Sequence, residues 1–308
     1  MVKCLVLGAN GLLGSVIVRD LSVNHQVIAF DRYSEDKVNF HLNENISVFK
    51  GDFMNIKDLS LSLKGVDYVF HFISTSNPIV SEDNPLLDIE TNILMSVKLF
   101  ELCVKHKVKR VIYPSSGGAI YGVNKNSESK SSYSENDLTL PISPYAIGKL
   151  TIENYLRYFK NKHQLDYVVY RISNPYGSNQ PKTTQQGVIP IFIEKILSNQ
   201  TLTVYGDGSM IRDYIHVDDV SRMIMKSFEK EHKQDVYNIG SGCGTSIKDI
   251  INTIEIISKK KASVKYTVKP SSFVERVVLD TSRFKNEFNL KPSIKLTEGI
   301  AGLINEKQ

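Results

Sequence analysis

The chain has 308 residues, 41% of them hydrophobic and 23% charged, a balance that excludes wholesale disorder, collagen-like repeats and a coiled coil. Basic side chains (38) exceed acidic ones (33) by a net +5 that is spread along the sequence apart from Lys259 to Lys261, which excludes a nucleic-acid footprint. The three cysteines, Cys4, Cys103 and Cys243, lie far apart without Cys-x-x-Cys or Cys/His spacing, so no disulfide framework and no metal site is expected, and a cytoplasmic location is.

In chain order, Lys3 to Leu7 reads as a strand that turns into a helix. The apolar stretch Cys4 to Val18 is broken by Gly8, Asn10, Gly11 and Gly14 and has no Ala-x-Ala-like site after it, which argues against a signal peptide. No other segment approaches the roughly 20 apolar residues of a membrane span, so no membrane partner is expected. Gly8-Ala-Asn-Gly11-Leu12-Leu-Gly14 between strand and helix has the context of a dinucleotide fingerprint. Glycine permits the tight turn first, the approach of backbone to a pyrophosphate second and close helix-to-strand packing third. A strand Gln26 to Phe30 follows, and Asp31 at its end is twenty residues after Gly11, placed to bind an adenosine ribose and repel a 2′-phosphate. That favours NAD, whereas the adjacent Arg32 suits the phosphate of NADP. After a third strand, Ile46 to Lys50, Asp52 is placed either for the adenine amino group or as a helix cap.

Strands are predicted next at Asp67 to Phe72, Lys109 to Pro114 and Asp166 to Ile172. Between the first two, Leu86, Ile89, Ile93, Val97, Phe100 and Val104 mark one helix face. A second long helix opens at Pro144 and runs to about Lys162. Its Tyr145 and Lys149 share a face at i and i+4, so an ammonium sits near a phenol and helps it to ionise near neutrality. Tyr33/Lys37, Tyr121/Lys125 and Tyr158/Lys162 have the same spacing, but only Tyr145 opens a long helix directly after a strand ending in Pro114-Ser115-Ser116. The alternation of strands and helices predicts βαβ units and a parallel sheet.

After Asn174 the pattern becomes irregular: a glycine- and glutamine-rich loop, a helix Ile189 to Leu197, and short strands near Thr203 and Ile211 suggest a smaller second lobe. Val217 to Phe228 reads as a helix and Val236 to Ile239 as a strand returning to the first sheet, so the lobes interleave in sequence. Ser127 to Ser134 reads as a solvated loop near the cleft.

These motifs together resemble the extended short-chain dehydrogenase/reductases, most closely the nucleotide-sugar 4-epimerases of the UDP-galactose 4-epimerase type. The resemblance spans nearly the whole chain, through Gly8 to Gly14, Val69-Phe-His-Phe72, Asn92, Ser115-Ser-Gly-Gly-Ala-Ile-Tyr-Gly122, Ser143-Pro-Tyr-Ala-Ile-Gly-Lys149, Arg171-Ile-Ser-Asn-Pro-Tyr-Gly177, Val204-Tyr-Gly-Asp-Gly208, Arg212-Asp-Tyr-Ile-His-Val-Asp-Asp219, Tyr237 to Ser241 and Leu279 to Arg283. It implies an α/β fold with a Rossmann-type doubly wound parallel sheet and a smaller, sequence-interleaved substrate-binding lobe. The division expected is 1–173 and 212–240 for the dinucleotide-binding domain, and 174–211 and 241–308 for the sugar-nucleotide lobe.

The resemblance implies Tyr145 as acid/base and Lys149 as its partner on the nicotinamide ribose. The NAD site then comprises Gly8, Asn10, Gly11, Leu12, Gly14, Asp31, Arg32, Asp52, Phe53, Phe72 and Asn92. The nucleotide-sugar site comprises Ser116, Asn174, Val188, Tyr205, Arg212 and Val277. Arg212 offers a fork for a diphosphate unless it pairs with Asp213, and Tyr205 a face for a base unless it is core. His216, without a second histidine at ligand spacing, reads as structural. Counting back from Tyr121-Gly122 puts the family's catalytic Ser or Thr on Gly117, which leaves Ser116, Ser115 or a water to supply the donor. Val277 stands where related epimerases that reject N-acetylated sugars carry a tyrosine, which predicts room for an acetamido group. The implied activity is 4-epimerisation of a UDP-hexose or UDP-N-acetylhexosamine. The chief alternative is an NAD(P)H-dependent reductase of a nucleotide-linked 4-keto-6-deoxy sugar. A dehydratase lacks support because no Asp-Glu pair follows Ser115-Ser116, and intact Tyr145 and Lys149 argue against a non-catalytic scaffold. The helices 86–107 and 143–163 are too apolar to serve only the sheet, which predicts a homodimer through a four-helix bundle.

Overall fold

The computed structural model describes residues 1–33, 37–122, 131–178, 187–269 and 274–307. Lys125, Ser127 to Lys130 of the serine-rich loop, and 179–186 of the glutamine-rich loop lie outside them. The first half alternates β1 (Lys3–Leu7), α1 (Leu12–Leu21), β2 (Gln26–Asp31), β3 (Ile46–Lys50), α2 (Ile56–Ser62) and β4 (Tyr68–His71). Two short helices, α3 (Pro78–Asp83) and α4 (Pro85–Asp88), a π-helical turn (Ile89–Leu94) and α5 (Met95–Lys105) lead to β5 (Arg110–Ser116), α6 (Pro144–His163) and β6 (Asp166–Ile172). The second half holds β7 (Asn174–Tyr176), α7 (Val188–Leu197), β8 (Thr201–Tyr205), β9 (Ile211–His216), α8 (Val217–Ser227), β10 (Val236–Ile239) and β11 (Gly244–Ser246). It closes with α9 (Ile247–Ser258), β12 (Ser263–Thr267), β13 (Arg276–Val277), α10 (Ser282–Phe288) and α11 (Leu296–Asn305).

Seven parallel strands form the central sheet in the order β10-β6-β5-β4-β1-β2-β3. β1 is apolar and buried from Cys4 to Leu7 because both sheet faces are covered. Ile17 and Leu21 of α1, Met223 and Ile224 of α8, and Phe284 and Phe288 of α10 fill one face. Leu59 of α2, Leu99 and Phe100 of α5, and Leu156 and Phe159 of α6 fill the other. Strand order reverses between β1 and β4, and the crevice outside their carboxyl ends is where a ligand binds in such sheets.

In the smaller lobe β9 pairs with β7, β11 and β13, β8 pairs with β12, and α7, α9 and α11 close over an isoleucine-rich core. The structure departs from the sequence division twice. β9 belongs to the small sheet, and α10 joins the core of the large one, because Phe284 and Phe288 pack on Tyr237 of β10. The helix predicted from Leu86 is interrupted by the π-turn, a feature found often at functional sites. α3 and α4 were not anticipated; Asn77 and Asn84 cap them, each followed by proline in the first turn. His216 is structural, its ring accepting the Asp218 N–H as the N-cap of α8. Among the described residues no helix is long and apolar enough to cross a membrane, and no cluster of His, Cys, Asp or Glu suits a metal.

Candidate active site

The glycine loop between β1 and α1 is shaped by contact distances. Gly8 has φ +81° and lies against Ile73, and a Cβ at Gly14 would stand 1.9 Å from the Gly8 carbonyl oxygen. A Cβ at Gly11 would meet only that same oxygen, at 3.3 Å, so its outer side faces the crevice. Gly11 caps α1 with no side chain and no acidic residue occupies the first turn, leaving free N–H groups and the positive helix end for a phosphate. Asp31 accepts the Asn10 N–H (2.9 Å) on one oxygen and the Arg32 N–H (2.7 Å) on the other, which fixes it beside the loop with lone pairs left for a ribose diol. The Arg32 side chain is exposed. We expect Asp31→Ala to weaken NAD and narrow its advantage over NADP, and unchanged dissociation constants for both would remove Asp31 from the site.

Other expected cofactor residues fall differently. Phe72 and Leu12 line the recess above the sheet. Phe53 is instead a core residue, 4% exposed, with its ring 5.2 Å from that of His71. The Asn10 amide clasps the segment after β2, through Lys37 O (2.9 Å) and Asn39 N (2.7 Å). Asp52 is exposed and accepts the Met54 N–H (2.9 Å), closing the turn before α2, whose cap is Asn55. Asn92 has no group left for a cofactor: its amide donates to Asp88 (2.8 Å) and Ser76 (3.1 Å), and its oxygen accepts from the Thr75 N–H (3.0 Å) and hydroxyl (3.1 Å).

Two cavities meet at the carboxyl end of β5. A recess of about 310 Å³ runs from Gly11 past Phe72 to Ser115 and Lys149. A cleft of about 470 Å³ extends the other way, past Asn174 and Val188 to Arg212 and Tyr214. Leu12, Ser116, Tyr145, Ser173 and Pro175 line both. Among the described residues the Ser115 and Ser173 hydroxyls are buried without a hydrogen-bond partner, Ser115 beside the recess and Ser173 where recess and cleft meet. Glycine cradle, ribose carboxylate and orphaned hydroxyls together fit a nicotinamide dinucleotide.

Ser143 caps α6 by accepting the Ala146 N–H, and Pro144 occupies the first turn, which sets Tyr145 at the mouth of both cavities. Burial raises the Tyr145 phenol above its ordinary 10, a hydrogen bond with Ser116 lowers it, and the Asp88 charge raises it. Burial lowers Lys149 to about 8, opposed by Asp88 and Glu153. Its ammonium donates to the Pro114 carbonyl (3.0 Å) and lies 5.8 Å from the centre of the Tyr145 ring. The hydrogen-bond partner of the phenol is therefore Ser116, and Lys149 stands farther off.

At Gly117 there is no room for a side chain. A Cβ there would collide with the Leu279 side chain at 2.6 Å and the Arg171 carbonyl at 2.9 Å, so the position faces packed protein. β5 ends at Ser116, which lines both cavities.

At the far end of the cleft Asn174 donates to the Asp213 carbonyl (2.8 Å) and Val188 opens α7. Arg212 does not pair with Asp213, whose carboxylate accepts from Ser241, Gly242 and Leu279. The guanidinium donates to the carbonyls of Ile211 (2.8 Å) and Val274 (2.6 Å), and burial lowers it to about 10. It is a cation that a diphosphate would neutralise. Two expectations are corrected. Tyr205 is 51% exposed at the end of β8 and does not line the cleft. Val277 is 2% exposed, packed with Ile120, Tyr121, Tyr133 and Leu279, and does not line it either, so it gives no ground for acetamido selectivity. Glu82, Ser173 and Tyr214 also line the cleft; Ser173 and Tyr214 lie inside the Arg171 to Gly177 and Arg212 to Asp219 motifs without an assigned role, and Glu82 lies in no motif.

A doubly wound sheet with a glycine cradle at its switch point and a Tyr-x-x-x-Lys helix beside a strand-end serine defines an extended short-chain dehydrogenase/reductase. Residues 4–240 match the model of the NAD dependent epimerase/dehydratase family, and the chain belongs to that family of enzymes. It is 30% identical over 307 residues to a UDP-glucose 4-epimerase of Mycolicibacterium smegmatis, covering 97% of this chain and 96% of the relative. It is 31% identical over 308 residues to a dTDP-4-dehydro-6-deoxyglucose reductase of Escherichia coli, covering 97% and 96%. The crystal structure of a UDP-glucose 4-epimerase of Thermotoga maritima with UDP-glucose superposes with a TM-score of 0.90 at 33% identity, covering 98% of this chain and 97% of that one.

Proposed function

We propose that the chain is an NAD-dependent 4-epimerase of a nucleotide-linked sugar, a UDP-hexose or UDP-N-acetylhexosamine. The observation that carries this reading is that the dinucleotide recess and the Arg212 cleft share Tyr145 and Ser116 at their junction, where a sugar 4-hydroxyl can meet acid/base and hydride acceptor together. Bound NAD supplies a reversible hydride acceptor and emerges unchanged. Arg212 and Asn174 hold the diphosphate and nucleoside portion. Ser116, hydrogen-bonded to Tyr145, donates its single hydroxyl proton to the 4-oxygen, while Tyr145 as phenolate takes the hydroxyl proton as C4 is oxidised. Lys149 favours the phenolate by its charge. The 4-keto sugar turns about its diphosphate, presents its other face, and Tyr145 returns the proton as the hydride is returned.

A reductase of a nucleotide-linked 4-keto-6-deoxy sugar is the second reading, favoured by the similarity to the Escherichia coli enzyme. The nucleotide released by acid from the purified chain separates the two. Retained NAD+ in near-stoichiometric amount supports the epimerase, whereas an empty site that requires added NADPH supports the reductase.

The homodimer belongs to the same proposal. Leu86, Ile89 and Leu94 before α5, and Ile147, Tyr155 and Tyr158 on α6, are between 38% and 65% exposed. A twofold four-helix interface would cover them. Light scattering at micromolar concentration is expected to give a dimer mass, and a monomer mass would exclude the interface.

A further inference from the structure

Asp88 is a carboxylate, 2% exposed, to which the scheme above gives no task. It ends α4, where the chain enters the π-turn. One carboxylate oxygen accepts from the Ser76 hydroxyl and from the Asn92 amide (2.8 Å). The other faces α6 so closely that a Cβ at Gly148 would stand 2.0 Å from it, and glycine at 148 is what lets helix and carboxylate touch. Tyr145, Gly148, Lys149 and Ile152 recur at spacings of three and four on that face. With Asp88 they enclose a cavity of about 10 Å³, room for one water at most.

The charges around the pair single out Asp88. Of the two carboxylates that favour the charged form of Lys149, Asp88 acts more strongly, and Glu153 is paired with Arg171 at 2.8 Å. Tyr113 on β5 lines the same cavity and the His71 ring on β4 lies 5.6 Å behind it, and burial holds both neutral, the histidine near 3 and the phenol well above 10. Ser116 brings a hydrogen bond without charge. A buried ammonium without a counter-charge gives up its proton rather than remain desolvated.

We propose that Asp88 is the positioning residue of the Tyr145 and Lys149 pair: from α4 it seats α6 at Gly148 and supplies the negative charge that keeps Lys149 an ammonium. This rests on the reading of Tyr145 and Lys149 as the reacting pair. Because Asp88 raises both Lys149 and Tyr145, removing its charge moves both titrations downward. The two limbs of a bell-shaped profile report the coupled pair.

Asp88→Asn keeps an acceptor for Ser76 and Asn92 and removes the charge. Its turnover profile is expected at lower pH than that of the wild type on both limbs, so that the ratio of turnover at about pH 8.5 to that at about pH 6.5 falls about tenfold, the effect of one pKa unit. Lowering the pH recovers activity. With Tyr145→Phe inactive in the same assay, a superimposable profile for Asp88→Asn overturns the proposal at any level of turnover, because a merely structural defect lowers the rate equally at every pH. A Tyr145→Phe chain that turns over normally overturns the underlying reading and the proposal with it. If Asp88→Asn does not fold, Asp88→Ser is read in the same way.

Discussion

Tyr145→Phe is expected to lose about 100- to 10,000-fold in turnover, the range attached to general acid/base assistance, with NAD affinity close to that of the wild type. The substitution deletes one oxygen and leaves a ring of the same shape between the two cavities. The Lys149 contact to Pro114 and the Ser143 cap of α6 do not depend on that oxygen. Turnover above about a tenth of the wild-type value would show that another group moves the proton.

Ser116→Ala should follow closely, lowering turnover about 100- to 1,000-fold, as loss of a donor aimed at a reacting oxygen does. Ser116 adjoins the phenol and lines both cavities, whereas the buried Ser115 hydroxyl lines only the recess. Ser115→Ala should therefore have a mild effect on turnover and show itself in cofactor affinity. Equal, small losses for the two variants would mean that a water donates to the sugar.

What could be read from the sequence was what depends on neighbours along the chain. The inner strands of the large sheet, β1 and β4 to β6, carry buried apolar runs because helices cover both faces, and the glycine loop announces itself by spacing. Tyr145 and Lys149 lie on one helix turn. Positions set by contacts between distant segments were misread. Gly117 is where counting back from Tyr121 leads, yet a side chain there would meet Leu279 and the Arg171 carbonyl, and Tyr121 is a core anchor whose hydroxyl donates to Asn238 (2.7 Å). Val277 enters the cluster around Tyr121 and Tyr133 through the pairing of β13 with β9, which no local pattern reveals. Asp88 looks like any acid at a helix end until Gly148 is seen to make room for it.

The central claim, transient oxidation at C4 with the hydride returned to the same sugar, is tested most directly with a UDP-hexose deuterated at C4 and no added cofactor. The expected product is the C4 epimer with deuterium still on C4 and no net change in the retained nucleotide. Epimer formed with its label lost to water, or no epimer while a 4-keto sugar is reduced at the expense of added NADPH, would contradict it.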